Sequence, residues 1–193
     1  MEIKTIGIIG AGTIGPAIAC VATLAGYKTI LQGVSAELLE EGIACIRHTL
    51  DDNVAAEIIT PQENEAAVAN LEISRSVEDV CRQADLLIDA TQEELEVKLE
   101  IFTLFDKFAK PDAILASTSL TIPISDLAEI TFRAENCVGL RFGTAVPQSK
   151  ALEIIRTAET SEATVTTCVD VARSMKREAV VVQGDFSRRN NPP

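Results

Sequence analysis

A doubly wound α/β domain is the class that this sequence predicts, on three observations. β-branched runs alternate with segments of helical spacing along most of the chain. A glycine-rich turn joins the first such run to the first such segment. The 193 residues, 47% of them hydrophobic, suffice for one buried core without a disulfide or metal staple.

Ile3 to Ile9 is a β-branched run closed by Gly10, and from Thr13 to Leu24 apolar residues continue at helical spacing until Gly26. Lys28 to Leu31 makes a second short strand. Ser35 then N-caps a helix carrying Leu38, Leu39, Ile43, Ile46 and Leu50 on one face. Thr60-Pro61-Gln62-Glu63 reads as a capping box with Pro at the first helical position. The two helices predict an inserted antiparallel arm over residues 35–70. Alternation resumes with a strand at Leu71 to Ser74, a helix from Ser76, a strand at Leu86 to Ala90, a helix from Leu95 to Ala109 and a strand at Ala113 to Ser117. A short helix near Ser125 to Ile130 follows, then strands at Cys137 to Phe142 and Leu152 to Arg156, a helix from Ser161 to Met175 and a strand at Ala179 to Val182. That order implies a mostly parallel sheet in one domain, residues 1–183, with 184–193 as an unstructured tail.

Composition narrows the partners. With 17 Lys+Arg against 29 Asp+Glu, the net charge is −12, which argues against nucleic acid and against an anionic membrane surface. No run of ~20 apolar residues predicts a membrane span. Five dispersed cysteines without a CxxC pair, and a single His, offer no metal-ligand set and fit a reducing cytoplasm. The start MEIKTIGIIGAG lacks a signal-peptide layout, so a cytoplasmic location is expected.

Gly10-Ala11-Gly12-Thr13-Ile14-Gly15 is G-x-G-x-x-G between a predicted strand and helix, the context of a Rossmann-like phosphate turn. The first glycine permits the turn, the second lets backbone approach a pyrophosphate, and the third lets helix pack on strand, with helical N–H donors facing the ligand. An acidic residue is expected at the end of the second strand, to accept from the adenosine ribose. Gln32 and Gly33 stand there instead, and no carboxylate occurs before Glu37. Space at Gly33 would admit a 2′-phosphate, but no Arg or Lys lies between Lys28 and Arg47 to hold one. NAD held loosely is therefore expected, with Gly33→Asp tightening it.

With the turn placed, the chain resembles the NAD-binding domain of 3-hydroxyacyl-CoA dehydrogenases over nearly all of residues 1–183. IGIIGAGTIGPAIACVATLAGYKTIL resembles that family's opening fingerprint, QEELEVKLEIF its segment after the fourth strand, PDAILAST its fifth strand, and VGLRFGTAVPQSKALEII its catalytic strand and loop. The resemblance implies an oxidoreductase of fatty-acid metabolism that oxidises L-3-hydroxyacyl-CoA to 3-ketoacyl-CoA with NAD. It implies cofactor contacts at Ala90, Glu93 and Lys98, and puts Glu153 on the catalytic-loop glutamate.

Other positions depart. Where the family has its general-base His this chain has Arg141, and where the family has Asn it has Thr144. The active-site Ser aligns without gaps to Leu120, and a one-residue shift offers Ser119. Arg141 and Glu153, on neighbouring strands, are expected to pair as ions. The sole histidine, His48, is predicted on the arm, remote from the nicotinamide position. Relatives continue into a helical domain that closes over substrate, which is expected to be absent here. Two readings follow: an impaired dehydrogenase domain, or a silent NADH or acyl-CoA binding or sensing module. In either, a second copy or a separate helical-domain chain stands as a candidate partner.

Overall fold

A computed structural model describes residues 2–143, 146 and 150–184; Thr144 and most of the predicted tail lie outside the described residues. The first half comprises β1 (Thr5–Ile9), α1 (Ile14–Leu24), β2 (Lys28–Gln32), α2 (Ala36–Ala55), α3 (Pro61–Ala69), β3 (Leu71–Ser74), α4 (Val77–Gln83) and β4 (Leu86–Asp89). The second comprises α5 (Leu95–Phe108), β5 (Ile114–Ser117), α6 (Ile124–Ala128), a 3₁₀ turn (Ala134–Asn136), β6 (Cys137–Phe142), β7 (Ala151–Arg156), α7 (Glu162–Ser174) and β8 (Glu178–Gln183).

The strands form one sheet in the order β3-β2-β1-β4-β5-β6-β7-β8, parallel except for the antiparallel pair β6–β7. The predicted α/β class is the one observed. Parallel strands between two helical layers bury both faces, so their residues alternate between two cores. Ile6, Ile8, Leu31 and Ile88 face the layer holding α1 and α7, whereas Ile9, Ile30 and Leu87 face α4, α5 and α6. From β1 the strand order runs outward in both directions, to β2 on one side and β4 on the other. Between the carboxyl ends of β1 and β4 lies the topological switch point, where open sheets of this kind bind ligands.

The arm follows from local signals. Ser35 Oγ accepts from the Leu38 amide to start α2, and Thr60 and Glu63 form the reciprocal capping box that starts α3. One detail differs: Leu38 is exposed, and the buried stripe of α2 is Leu39, Gly42, Ile46 and Leu50. Four of the five cysteines are buried, and burial lifts the Cys20, Cys81, Cys137 and Cys168 thiols to about 11, 12, 11 and 12; Cys45 is exposed.

Candidate active site

The phosphate turn is built from backbone constraints. Gly10 has φ +112°, and a Cβ on it would stand 2.6 Å from the Ala90 carbonyl oxygen at the end of β4. A Cβ on Gly15 would come within 1.8 Å of the Gly10 carbonyl oxygen, so α1 packs on β1 only because that atom is missing. Gly12 differs, since among the described residues nothing lies within 4 Å of its would-be Cβ. Thr13 starts α1 without a side-chain cap bond, and no acidic residue occupies the first turn that Ile14 begins. The partial positive charge of that helix end thus meets open space above Gly12. This cradle fits a dinucleotide pyrophosphate.

The adenosine end lies beside it. The Gly10 amide donates to the Gln32 carbonyl at 3.0 Å, tying the turn to the end of β2. Gln32 is buried, and its Nε2 donates to the Arg75 carbonyl at 3.4 Å, which leaves its side-chain oxygen as an acceptor. At Gly33 the structure corrects the sequence expectation. A Cβ there would meet Leu39 Cγ at 2.8 Å and Ala11 Cβ at 3.1 Å, so the inner side of Gly33 packs against the core and the side chain of Gly33→Asp would enter only by displacing Leu39.

At the other end of the crevice, Lys98 and Asp89 form a fully buried ion pair, Nζ to Oδ2 at 2.8 Å. Lys98 also donates to the Thr91 carbonyl at 3.2 Å, and Ser117 Oγ, one strand away, donates to Asp89 Oδ2 at 2.9 Å. The Lys98 ammonium, which the resemblance places at the cofactor, is enclosed and bonded to Asp89 and to the Thr91 carbonyl. Asp89 and Thr91 were not singled out in the sequence. The available signal was a carboxylate closing the otherwise apolar run Leu86–Asp89.

Glu93 receives the turn that follows β5. Its Oε1 accepts from the Ser119 hydroxyl, from the Leu120 amide at 2.9 Å, and from the Thr121 amide and hydroxyl at 2.8 and 2.9 Å. Desolvation pushes its pKa upward, but the Ser119 hydroxyl, the Thr121 donors and the Lys98 charge outweigh it and hold the carboxyl at about 2. Ser119 Oγ also accepts from the Ile122 amide at 2.8 Å, so that hydroxyl is engaged on both sides.

Ser119 and Leu120 both line a cleft with Ser117, Thr121, Gly139 and Arg141. Arg141 on β6 stands directly opposite Glu153 on β7, with Nη1 to Oε2 at 3.5 Å. Its Nη2 donates to the Leu120 carbonyl at 3.2 Å, so the guanidinium bridges the β6–β7 pair and the β5–α6 loop. The ion pair anticipated from the sequence is present. His48 is exposed on α2, against Asp52 at 3.4 Å.

Residues 5–186 match the family described as 3-hydroxyacyl-CoA dehydrogenase, NAD binding domain, and the chain belongs to that family. Among curated proteins it is 35% identical over 184 residues to a 3-hydroxybutyryl-CoA dehydrogenase of Bradyrhizobium diazoefficiens, covering 95% of this chain and 62% of that protein. It is 33% identical over 186 residues to a probable 3-hydroxybutyryl-CoA dehydrogenase of Bacillus subtilis, covering 96% and 64%. The chain thus spans just under two thirds of these relatives. A solved structure of (S)-3-hydroxybutyryl-CoA dehydrogenase from Ralstonia eutropha superposes with a TM-score of 0.92 at 28% identity, covering 98% of this chain and 68% of that one.

Proposed function

We propose that this chain binds NAD(H) over the Gly10–Gly15 turn as an oxidoreductase-family domain of fatty-acyl-CoA metabolism, and that it interconverts 3-hydroxyacyl-CoA and 3-ketoacyl-CoA slowly or not at all. The observation that carries this reading is Arg141, held between the Glu153 carboxylate and the Leu120 carbonyl in the cleft beside Ser119. Bound NAD(H) supplies the hydride acceptor or donor. Oxidation of a hydroxyl also needs an acceptor for its proton, with a pKa near the working pH. A guanidinium, with pKa above ~12, can donate hydrogen bonds to a substrate oxygen but cannot take that proton. Glu93, at about 2 and committed to the 119–122 turn, is too weak a base. Ser119 has both its donor and acceptor roles engaged. Glu153 faces the Arg141 guanidinium. The limit of this reading is a silent module that binds NADH and acyl-CoA, and the same engaged side chains favour it.

Two measurements on the same protein test the reading. Calorimetry with NADH should give saturable binding that Gly12→Val removes. NADH oxidation with acetoacetyl-CoA should be absent, or ~10²-fold or more below what an intact general base allows. Absence of NADH binding at millimolar concentration would contradict the cofactor reading, and robust turnover would contradict the catalytic one.

A further inference from the structure

The sequence offers no cation near the ribose end of the cofactor site, because it places none between Lys28 and Arg47. The fold supplies one from elsewhere. β3 pairs in parallel with β2, Ser74 opposite Gln32, and the Gly33 amide donates to the Ser74 carbonyl at 3.2 Å. Arg75, the next residue, therefore emerges beside Gly33, and its carbonyl is the group that holds the Gln32 amide. Its side chain is exposed at the carboxyl edge of the sheet. Lys28 sits at the opposite end of β2, against Glu72 at 3.1 Å, and Arg82 is paired with Glu78. Glu37, in the first turn of α2, is close enough to Arg75 for their charges to interact. Its carboxyl is held below the usual range by its own backbone amide and the Ser35 hydroxyl, with Arg75 adding to them. Leu39 and Ala11 close the inner side of Gly33, so recognition at the ribose falls to these rim side chains.

We infer that Arg75 and Glu37 read the 2′ position of the adenosine ribose, and that this chain accepts the 2′-phosphorylated dinucleotide NADP(H) as well as NAD(H). The inference rests on the proposed use of the Gly10–Gly15 cradle and deepens it. An Arg at this end of a Rossmann sheet supplies the bidentate, charge-assisted contact that a 2′-phosphate requires, whereas a carboxylate accepts from a free 2′-hydroxyl and repels a phosphate. The two residues thus work in opposite senses on the two cofactors. A buried carboxylate at position 32 would have excluded the phosphate outright; Gln32, neutral and tied to Arg75, leaves the choice to the rim.

The test is direct binding of NADH and NADPH to the intact chain, followed by nucleotide fluorescence at fixed ionic strength, for the parent, Arg75→Ala and Glu37→Gln. The parent should bind NADPH within about tenfold of NADH. Arg75→Ala should weaken NADPH by roughly ten- to a hundredfold, the size of a charge-assisted contact, and leave NADH within about twofold. Glu37→Gln should strengthen NADPH and weaken NADH, each by about fivefold, the effect of one nearby charge in high dielectric. A structural role for either residue would move both ligands in the same direction. If NADH binds and NADPH does not, or if Arg75→Ala leaves the NADPH-to-NADH ratio unchanged, the inference is overturned while the cofactor reading stands. If neither nucleotide binds the parent, both fall together.

Discussion

Lys98 and Asp89 form an ion pair with both side chains fully buried, and the energetics of such a pair are asymmetric. Each partner cancels the other's desolvation penalty, so removing one strands the other. Lys98→Met should lower the unfolding free energy by about 3–5 kcal/mol in urea denaturation, a large share of the ~5–15 kcal/mol that a domain possesses. Replacing both should recover only part, because the Thr91 amide and Ser117 hydroxyl still need the Asp89 oxygens. Glu93 obeys a different rule, set by pH. Its folded pKa lies at about 2, below its ordinary 4.5, so its contribution to stability is complete above pH ~4.5 and disappears as pH falls toward 2. Glu93→Gln should therefore be less stable than the parent at pH 7, and the gap should close on acidification; a gap independent of pH would mean that the charge of Glu93 is immaterial. The glycines separate in the same manner. Gly12→Val, with open space at its Cβ, should keep the parent's melting temperature yet lose NADH, whereas Gly15→Ala drives a methyl into the Gly10 carbonyl and should destabilise the fold itself.

Helices and strands were legible wherever four to eight neighbouring residues carry the signal. The capping box Thr60-Pro61-Gln62-Glu63 is one such signal, and α3 begins at Pro61 as its spacing requires. Thr60→Ala should cost about 0.5–2 kcal/mol, measured as a shift in the denaturation midpoint. The alternation that predicts the parallel sheet is equally local, and elements such as β3 at Leu71–Ser74 fall where it puts them. What was not legible depends on register between distant strands. Arg75 lies 42 positions beyond Gly33 in sequence and becomes its neighbour only through the β2–β3 pairing. Asp89 meets Ser117 through the β4–β5 register, and no periodicity within either segment announces it. Gly33 misled for the same reason: a glycine reads as free space until Leu39, six positions along, is seen to pack against its inner side. Arg141 and Glu153 were foreseen because their strands are consecutive in sequence, so no distant segment had to be placed between them.

At the scale of the whole molecule, the topology puts the glycine cradle and the Arg141 cleft at different strands. The glycine cradle sits between β1 and β4, built by glycine backbone and a helix end with no side-chain cap bond among the described residues. The cleft lined by Arg141 and Ser119 sits over β5 and β6, and there Arg141, Glu153, Ser119 and Glu93 are committed to one another or to backbone. On the proposed reading, binding persists where proton transfer fails, which is the central claim. Its most direct test is steady-state NADH oxidation with acetoacetyl-CoA at saturating NADH, comparing the parent with Arg141→His. The account predicts a parent rate that is absent or ~10²-fold below what an intact general base allows, and a rise in Arg141→His, whose imidazole supplies a group titrating near neutrality, at unchanged NADH affinity. Parent turnover equal to or above that of Arg141→His would contradict it.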